Sequence, residues 1–173
     1  MGSASITEEF RGFMSAYFTG VTIVTSVDAG GRPHGLTCSS LTSVTLDPPT
    51  LLVCLDERTG TLRAVRERGA FAVNLLHEGG TPAARLFASA SASRFEQVAW
   101  RAAATGLPWL VEDAYGVAEC DVADLVPVGD HVVVFGLVRQ AVLTGGPGGG
   151  SGTDRPLLYG RRGFAAGVAG AVR

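Results

Sequence analysis

The sequence contains no lysine, because its 14 basic residues are all arginine. This absence excludes a Schiff-base lysine and the lysine of a phosphate-binding P-loop, since arginine stays protonated near neutral pH. Charged residues make up only 17% of the chain, and the formal net charge is −2. Such a chain has no basic field that attracts nucleic acid or an anionic membrane. We therefore expect neither of these partners, and the low charge favours an apolar surface covered by a second copy.

Cysteine is also scarce, with Cys38, Cys54 and Cys120 at wide spacings and no CxxC motif. An odd number at such spacings argues against a disulfide framework or a zinc knuckle. No apolar run approaches the roughly 18 residues that span a bilayer. The first residues, MGSASITEEF, lack the pattern of a signal peptide. We expect a reduced, cytoplasmic protein.

The common catalytic motifs are missing too. The sequence has 24 glycines but no GxGxxG in register, and GxSxG does not occur. His77-Glu78 begins like the zinc motif HExxH, but Thr81 stands at the second ligand position. We therefore predict no metal site, no nucleophile and no catalytic side chain.

What the chain does contain is a series of extended segments. Apolar and β-branched runs predict strands over 20–27, 34–46, 50–55, 70–76, 116–126, 131–143 and 156–160. We expect the continuously apolar segment 50–55 to be buried on both faces. Helical spacing predicts a helix over 6–18 that begins near Thr7, and shorter helices over 61–68 and 82–87. Residues 145–154, GGPGGGSGTD, predict a flexible loop between two strands.

This pattern predicts a single domain over residues 1–173. Its fold class is mainly β, a small barrel with a few short helices. An all-β sandwich is the alternative that the strand pattern leaves open.

Four segments place polar residues where a ligand could bind. HGLTCSSLTSVTLDPP (34–49) sets hydroxyls in an apolar strand, and VGDHVVVFG (128–136) sets His131 at a strand start. VCLDERTGTLRAV (53–65) ends a strand at Asp56 and opens a helix that either Thr59 or Thr61 can cap. The free N–H groups of its first turn form an anion site. LLYGRRGF (157–164) sets Tyr159 before two arginines. Taken singly, segment 34–49 is also consistent with a solvated strand face, 128–136 with a surface histidine and 53–65 with an ordinary helix cap. Segment 157–164 alone is a weak signal.

In this order and spacing the segments resemble the short-chain flavin reductases, the flavin-reductase-like family that supplies reduced flavin to two-component monooxygenases. The matching stretches are TGVTIVTS (19–26), GRPHGLTCSSLTSVTLDPP (31–49), LVCLDERTGTLRAVRERGAFAVNLL (52–76), RLFAS (85–89), RF (94–95), AECDV (118–122), GDHVVVFGLV (129–138) and PLLYGRRGF (156–164). Together they cover nearly the whole chain. The resemblance implies an FMN-binding split β-barrel, Greek-key-like, that forms a homodimer and binds FMN or FAD near the subunit interface.

The resemblance also implies an activity, that of an NAD(P)H:flavin oxidoreductase. Such an enzyme transfers hydride from NADH, or from NADPH, to FAD or FMN and releases the reduced flavin to a partner monooxygenase. Two other functions remain open. One is a flavoprotein that keeps its FMN as an electron carrier or flavin store, and the other is a non-catalytic ligand-binding barrel.

Site residues are implied by the same resemblance. Thr37, Cys38, Ser39 and Ser40 would line the isoalloxazine and ribityl side, and Cys54, Leu55 and Asp56 would follow the ring edge. Thr59, Gly60 and Thr61 would hold the phosphate, and Phe87, Ala88 and Ser89 would close that side. His131 and Tyr159 would face the nicotinamide. Because the cofactors carry out the hydride transfer, no catalytic side chain is expected.

Overall fold

The computed structural model describes residues 5–144 and 155–167. Its helices are α1 (Ile6–Ala16), α2 (Gly60–Arg68) and α3 (Thr81–Ala88). Its strands are β1 (Thr19–Gly20), β2 (Thr22–Val27), β3 (Pro33–Cys38), β4 (Thr42–Leu46), β5 (Pro49–Asp56), β6 (Ala70–Leu76), β7 (Arg101–Ala102), β8 (Pro108–Trp109), β9 (Ala114–Val128), β10 (His131–Leu143), β11 (Leu157–Gly160) and β12 (Gly163–Ala166). The predicted glycine-rich loop at 145–154 lies outside the described residues.

Seven antiparallel strands form the main sheet, in the order β3-β2-β6-β9-β10-β5-β4. Its two edge strands, β3 and β4, are consecutive in the chain, so the sheet must curl until its edges meet. A side chain bridges the gap: the Ser40 hydroxyl accepts a hydrogen bond from Cys54 N at 2.8 Å. Strand β4 pairs with β5 only over residues 49–52, so the gap lies between β3 and the following residues of β5, and we call it the seam. The result is a mainly β barrel with one open seam, which confirms the predicted fold class.

Two hydrophobic cores lie on the opposite faces of this sheet. Successive side chains of a strand point to opposite faces, and β2 divides accordingly. Val24 joins a core inside the barrel with Phe71 and with Leu62 of α2. Ile23 joins a second core with Phe87 of α3. Helices α2 and α3 are therefore fixed beside β3 and the seam, where they position the site described below.

The structure corrects several details of the predicted elements. Helix α1 begins after Ser5, which forms a capping box with Glu8, and not at Thr7. The segment 34–46 is broken into β3 and β4 because residues 39–41 cross between the two edges of the sheet. Strand β5 is buried only at Val53 and Leu55, since its other face borders the seam. Strand β12 was not predicted, because its sequence GFAA carries little strand signal.

Helix α1 keeps an apolar face uncovered within one chain. It is amphipathic, yet none of its residues is buried. Phe10 is 61% exposed and Phe13 73% exposed. Large apolar side chains in such a row mark a surface that another molecule covers.

Asn74 of β6 is a polar residue at the centre of the fold. It is fully buried, and its side-chain amide donates to Ile23 O at 3.1 Å and to Thr25 Oγ1 at 3.2 Å. Its Oδ1 accepts from Leu110 N at 2.9 Å. One side chain therefore links β6, β2 and the segment that follows β8.

Replacing Asn74 tests this link. We expect Asn74→Leu to lower the free energy of unfolding by about 2–4 kcal/mol, because buried backbone groups lose their partners. Urea denaturation followed by circular dichroism measures the change. As a control, Gln97→Ala removes an exposed amide that bonds only to Ser93 and is expected to stay within about 0.5 kcal/mol. Equal stability of the two variants would contradict the assignment.

Candidate ligand-binding site

Three adjoining cavities open along and beside the seam. The helix-end cavity, of about 460 Å³, is lined by His34, Leu36, Thr37, Cys54, Asp56, Thr59, Gly60, Thr61, Phe87, Ala88, Ser89, Arg94 and His131. The tyrosine cavity, of about 590 Å³, shares Thr37, Ala88 and Ser89 with it and adds Ser39, Arg85, Tyr159, Arg162 and Phe164, among others. The seam cavity, of about 650 Å³, includes Ser39, Ser40, Cys54, Tyr159 and residues of α1. Each volume lies within the range of small-molecule sites.

The start of helix α2 forms one wall of the helix-end cavity. Thr59 caps the helix: its hydroxyl accepts from Leu62 N at 3.3 Å and donates to Asp56 O at 2.8 Å. The N–H groups of Gly60 and Thr61 have no partner within the helix, because they belong to its first turn. Thr61 is buried and lines the cavity. The helix dipole and these N–H groups together favour an anion at this point.

Arg94 adds positive charge to the same cavity. Its guanidinium donates to Gly35 O at 3.1 Å and to Ser89 O. Its Nε is buried and has no hydrogen-bond partner within residues 5–144 and 155–167. A buried donor without a partner is costly, so Arg94 is suited to receive an acceptor from a ligand.

His34 lies against the start of α2. Its Nε2 is 2.9 Å from Asp28 Oδ2, and this hydrogen bond lowers the pKa of Asp28. Its Nδ1 faces Gly60 so closely that a Cβ at Gly60 would lie 3.2 Å from it. Glycine at position 60 therefore lets the imidazole approach the helix end.

Asp56 and His131 stand opposite each other on β5 and β10. Arg58 forms a two-pronged contact with Asp56, at 3.1 Å and 2.7 Å, and holds the pKa of that carboxyl well below its usual value. His131 Nδ1 is 2.8 Å from Asp130 Oδ1. Since an ionised carboxylate only accepts, Nδ1 carries the proton and Nε2 is left for another partner.

Two of the predicted site residues have side chains that line none of the three cavities. Cys38 is buried beside Ser40, its Sγ 3.0 Å from Ser40 Oγ, and burial raises the pKa of its thiol. Leu55 is 1% exposed and belongs to the barrel core. Strand alternation explains both, because Thr37, Cys54 and Asp56 point to the other face.

The remaining predicted residues fall into two groups. The helix-end cavity brings together Thr37, Cys54, Asp56, Thr59, Gly60, Thr61, Phe87, Ala88, Ser89 and His131. Ser39, Ser40 and Tyr159 line the neighbouring cavities. Within one chain His131 and Tyr159 thus border different cavities.

Sequence reasoning missed several cavity residues, foremost His34, Arg94 and Arg85. His34 stands in the polar segment 34–49 and Arg94 in the short RF match, so a signal was present for both. Nothing local in the sequence shows that Arg85, on α3, borders the same cavity as Arg162.

Two further findings concern the described part of the chain. It holds no group of three or more histidine, cysteine, aspartate or glutamate residues arranged to bind a metal ion. Its helices are also too short or too polar for any of them to cross a membrane.

The Asp56–Arg58 contact is testable by titration. We expect Arg58→Ala to raise the pKa of Asp56 towards its ordinary value, since the main cause of the lowering is removed. A depressed pKa stabilises the fold above the ordinary pKa, and this contribution is lost as the pH falls through the lowered one. Carboxyl-detected NMR titration measures the shift. Arg66→Ala, which removes the partner of the adjacent Glu57, serves as the control; an unchanged Asp56 pKa in Arg58→Ala would refute the assignment.

Comparison with known proteins identifies the family of this chain. The flavin reductase like domain matches residues 14–167. A flavin reductase (NADPH) of Lentzea aerocolonigenes is 51% identical over 158 residues, covering 91% of this chain and 88% of its own. The structure of nitrilotriacetate monooxygenase component B from Mycobacterium thermoresistibile aligns with a TM-score of 0.81 at 32% identity, over 94% of this chain and 88% of that one. The NADH:FAD oxidoreductase SgcE6 of Streptomyces globisporus, solved with NAD and FAD fragments, aligns with a TM-score of 0.82 at 28% identity, over 95% and 94%. The chain belongs to the flavin-reductase-like family.

Proposed function

We propose that this protein transfers hydride from NADH or NADPH to FMN or FAD and releases the reduced flavin to a partner monooxygenase. The observation that carries the proposal is the helix-end cavity, which combines an anion site at the start of α2 with a wall of small side chains along the seam. Such a cavity suits a flat ring that ends in a phosphate. A flavin bound there supplies the redox chemistry, since its N5 accepts hydride from C4 of the nicotinamide.

The phosphate end of the site is formed by α2 and Arg94. The N–H groups of Gly60 and Thr61, the Thr61 hydroxyl and the Arg94 guanidinium are all donors, and a phosphate only accepts. The buried Nε of Arg94 is the specific sign of fit, because it lacks an acceptor in the part of the chain described. Phe87, Ala88 and Ser89 close this end from α3.

The ring side of the site follows the seam. Thr37 is fixed there by a hydrogen bond from its hydroxyl to Ala84 O at 2.6 Å. Ser40 fixes the position of Cys54 through its contact with Cys54 N. These two contacts fix the backbone of β3 and β5 where a ring would lie.

His131 has a positioning role in this proposal. Asp130 orients its imidazole through Nδ1, so Nε2 can hold the carboxamide of the nicotinamide. Holding two rings at a reactive distance supplies the rate gain, and no general base is needed to break the C–H bond.

Assembly and location form part of the proposal. The uncovered face of α1, with Phe10 and Phe13, borders the seam cavity through Met14 of the same helix and through Tyr17, which follows it. A second copy packed on this face would form a homodimer with the flavin sites near its interface. The open cavities suit an enzyme that releases its flavin to another protein. In this proposal the enzyme is cytoplasmic.

Multiple-turnover kinetics test the activity. NADH and NADPH oxidation is followed with FMN, FAD and riboflavin, each at large excess over protein. The proposal requires many oxidations per protein molecule. Flavin binding without turnover would instead favour a carrier with fixed FMN, and the absence of both would favour a non-catalytic barrel.

Thr61→Ala tests the phosphate site. We expect FMN to bind about tenfold more weakly, because a hydrogen bond to a charged group is lost. Riboflavin, which lacks the phosphate, is expected to bind unchanged. Fluorescence quenching titrations give both constants, and Thr45→Ala, on exposed β4, is the matched control. Equal losses for FMN and riboflavin would sink the assignment.

His131→Ala tests the nicotinamide side. We expect the rate of flavin reduction to fall by about tenfold, in line with the loss of one positioning contact, while flavin affinity changes by less than about twofold. Stopped-flow reduction and flavin titration separate the two effects. The control is His77→Ala, since His77 bonds to Glu112 O and lines none of the three cavities. An unchanged rate of flavin reduction in His131→Ala would contradict the positioning role of His131.

A further inference from the structure

The tyrosine cavity carries positive charge apart from the phosphate site at the start of α2. Among its lining residues the charged ones are Arg85, from α3, and Arg162, from the turn between β11 and β12. No aspartate or glutamate of the described chain lines it. Two guanidinium groups without a neighbouring carboxylate favour an anionic ligand.

The turn that holds Arg162 has an unusual sequence. Gly160 pairs with Gly163, so Arg161 and Arg162 form a two-residue hairpin loop. Their φ angles are 49° and 62°. Such positions favour asparagine and glycine, because a side chain is strained there. Strained backbone positions of this kind cluster at functional sites.

The two arginines of this turn have different surroundings. Arg162 lines both the tyrosine cavity and the seam cavity. Arg161 lines none of the three cavities, and its N–H donates to Ser15 O at 2.5 Å. Arg162 therefore borders the site and Arg161 does not, so Arg161 offers a control at a position whose φ is also positive.

An aromatic surface lies beside the charges. The Arg85 guanidinium carbon is 5.2 Å from the centre of the Phe164 ring. The Tyr159 and Phe164 rings are 5.2 Å apart at 61°. An aromatic surface next to two guanidinium groups suits a nucleoside that carries a phosphate, through stacking and charge-assisted hydrogen bonds.

We propose that the tyrosine cavity binds the adenosine 2′-phosphate end of NADPH, with Arg162 and Arg85 as the cationic partners of that phosphate. This inference rests on the proposed function and names its preferred electron donor. The cavity adjoins the helix-end cavity through Thr37, Ala88 and Ser89, so NADPH bound there would lie beside a flavin in the helix-end cavity. NADPH carries a phosphate of about −2 charge at this position, whereas NADH carries a hydroxyl group. NADH therefore lacks the contacts between this phosphate and the two arginines.

The first experiment measures binding without catalysis. Calorimetry compares adenosine 2′,5′-bisphosphate with adenosine 5′-monophosphate on the flavin-free protein. We expect the bisphosphate to bind at least tenfold more tightly. Arg162→Asn and Arg85→Gln are expected to remove most of this difference, and asparagine tolerates the positive φ of position 162. Arg161→Asn is expected to keep it.

The second experiment measures specificity. The ratio of kcat/KM for NADPH to that for NADH is expected to fall at least tenfold in Arg162→Asn, through KM, and to stay within twofold in Arg161→Asn. Equal binding of the two adenosine nucleotides, no binding of the bisphosphate, or a preference that survives loss of both Arg85 and Arg162 would overturn the inference.

The two proposals fail in distinguishable ways. Flavin reduction with no preference for NADPH leaves the proposed function standing and removes the inference. Selective binding of the bisphosphate without flavin turnover supports the 2′-phosphate site and removes the proposed reductase activity.

Discussion

The hydroxyl of Ser40 holds together a sheet that does not close. Strands β3 and β5 meet at the seam without a hydrogen-bonded ladder, and Ser40 joins Cys38 on one side to the backbone of Cys54 on the other. A closed barrel of this size would fill its interior with side chains. Because the seam stays open, α2 and α3 can present their ends and sides to it, and the three cavities arise where these elements meet. The binding site is thus a consequence of incomplete closure.

Charge is sparse in this protein, and the cavities beside the seam carry part of its positive charge. Around the helix end, the first turn of α2 and Arg94 supply donors and positive charge within one cavity. Arg85 and Arg162 supply donors and positive charge in the tyrosine cavity, on the other side of Thr37. The carboxylate of Asp56 does not oppose them, since Arg58 already pairs with it. Because the chain contains no lysine, its strongly basic side chains are all guanidinium groups. Their planar geometry suits the binding of phosphate.

Much of the fold was predictable because its signals are local. The span of β10 was predicted exactly as observed, since a β-branched run begins directly after the Gly129 turn and ends before a glycine tract. The helix end at Thr59 was predictable for the same reason, as a cap is formed by residues within a few positions. The errors have local causes too. Cys38 and Leu55 were predicted as site residues because the matching motifs include every residue of a segment. In a strand, however, successive side chains point to opposite faces, and these two point into the core. Strand β12 was missed because pairing with β11 forms it, not the propensity of its residues.

The sequence by itself determined most of the long strands, the capped start of α2, the absence of lysine chemistry and the polar residues that resemble a flavin site. These depend on neighbours in the chain. Only the tertiary structure decided which of those residues share a cavity. It separated His131 from Tyr159 within one chain, placed Arg85 beside Arg162, and left the donor of Arg94 without a partner in the described residues. Such relations join residues far apart in the sequence, and they exist only once the sheet has curled and brought its two edges to the seam.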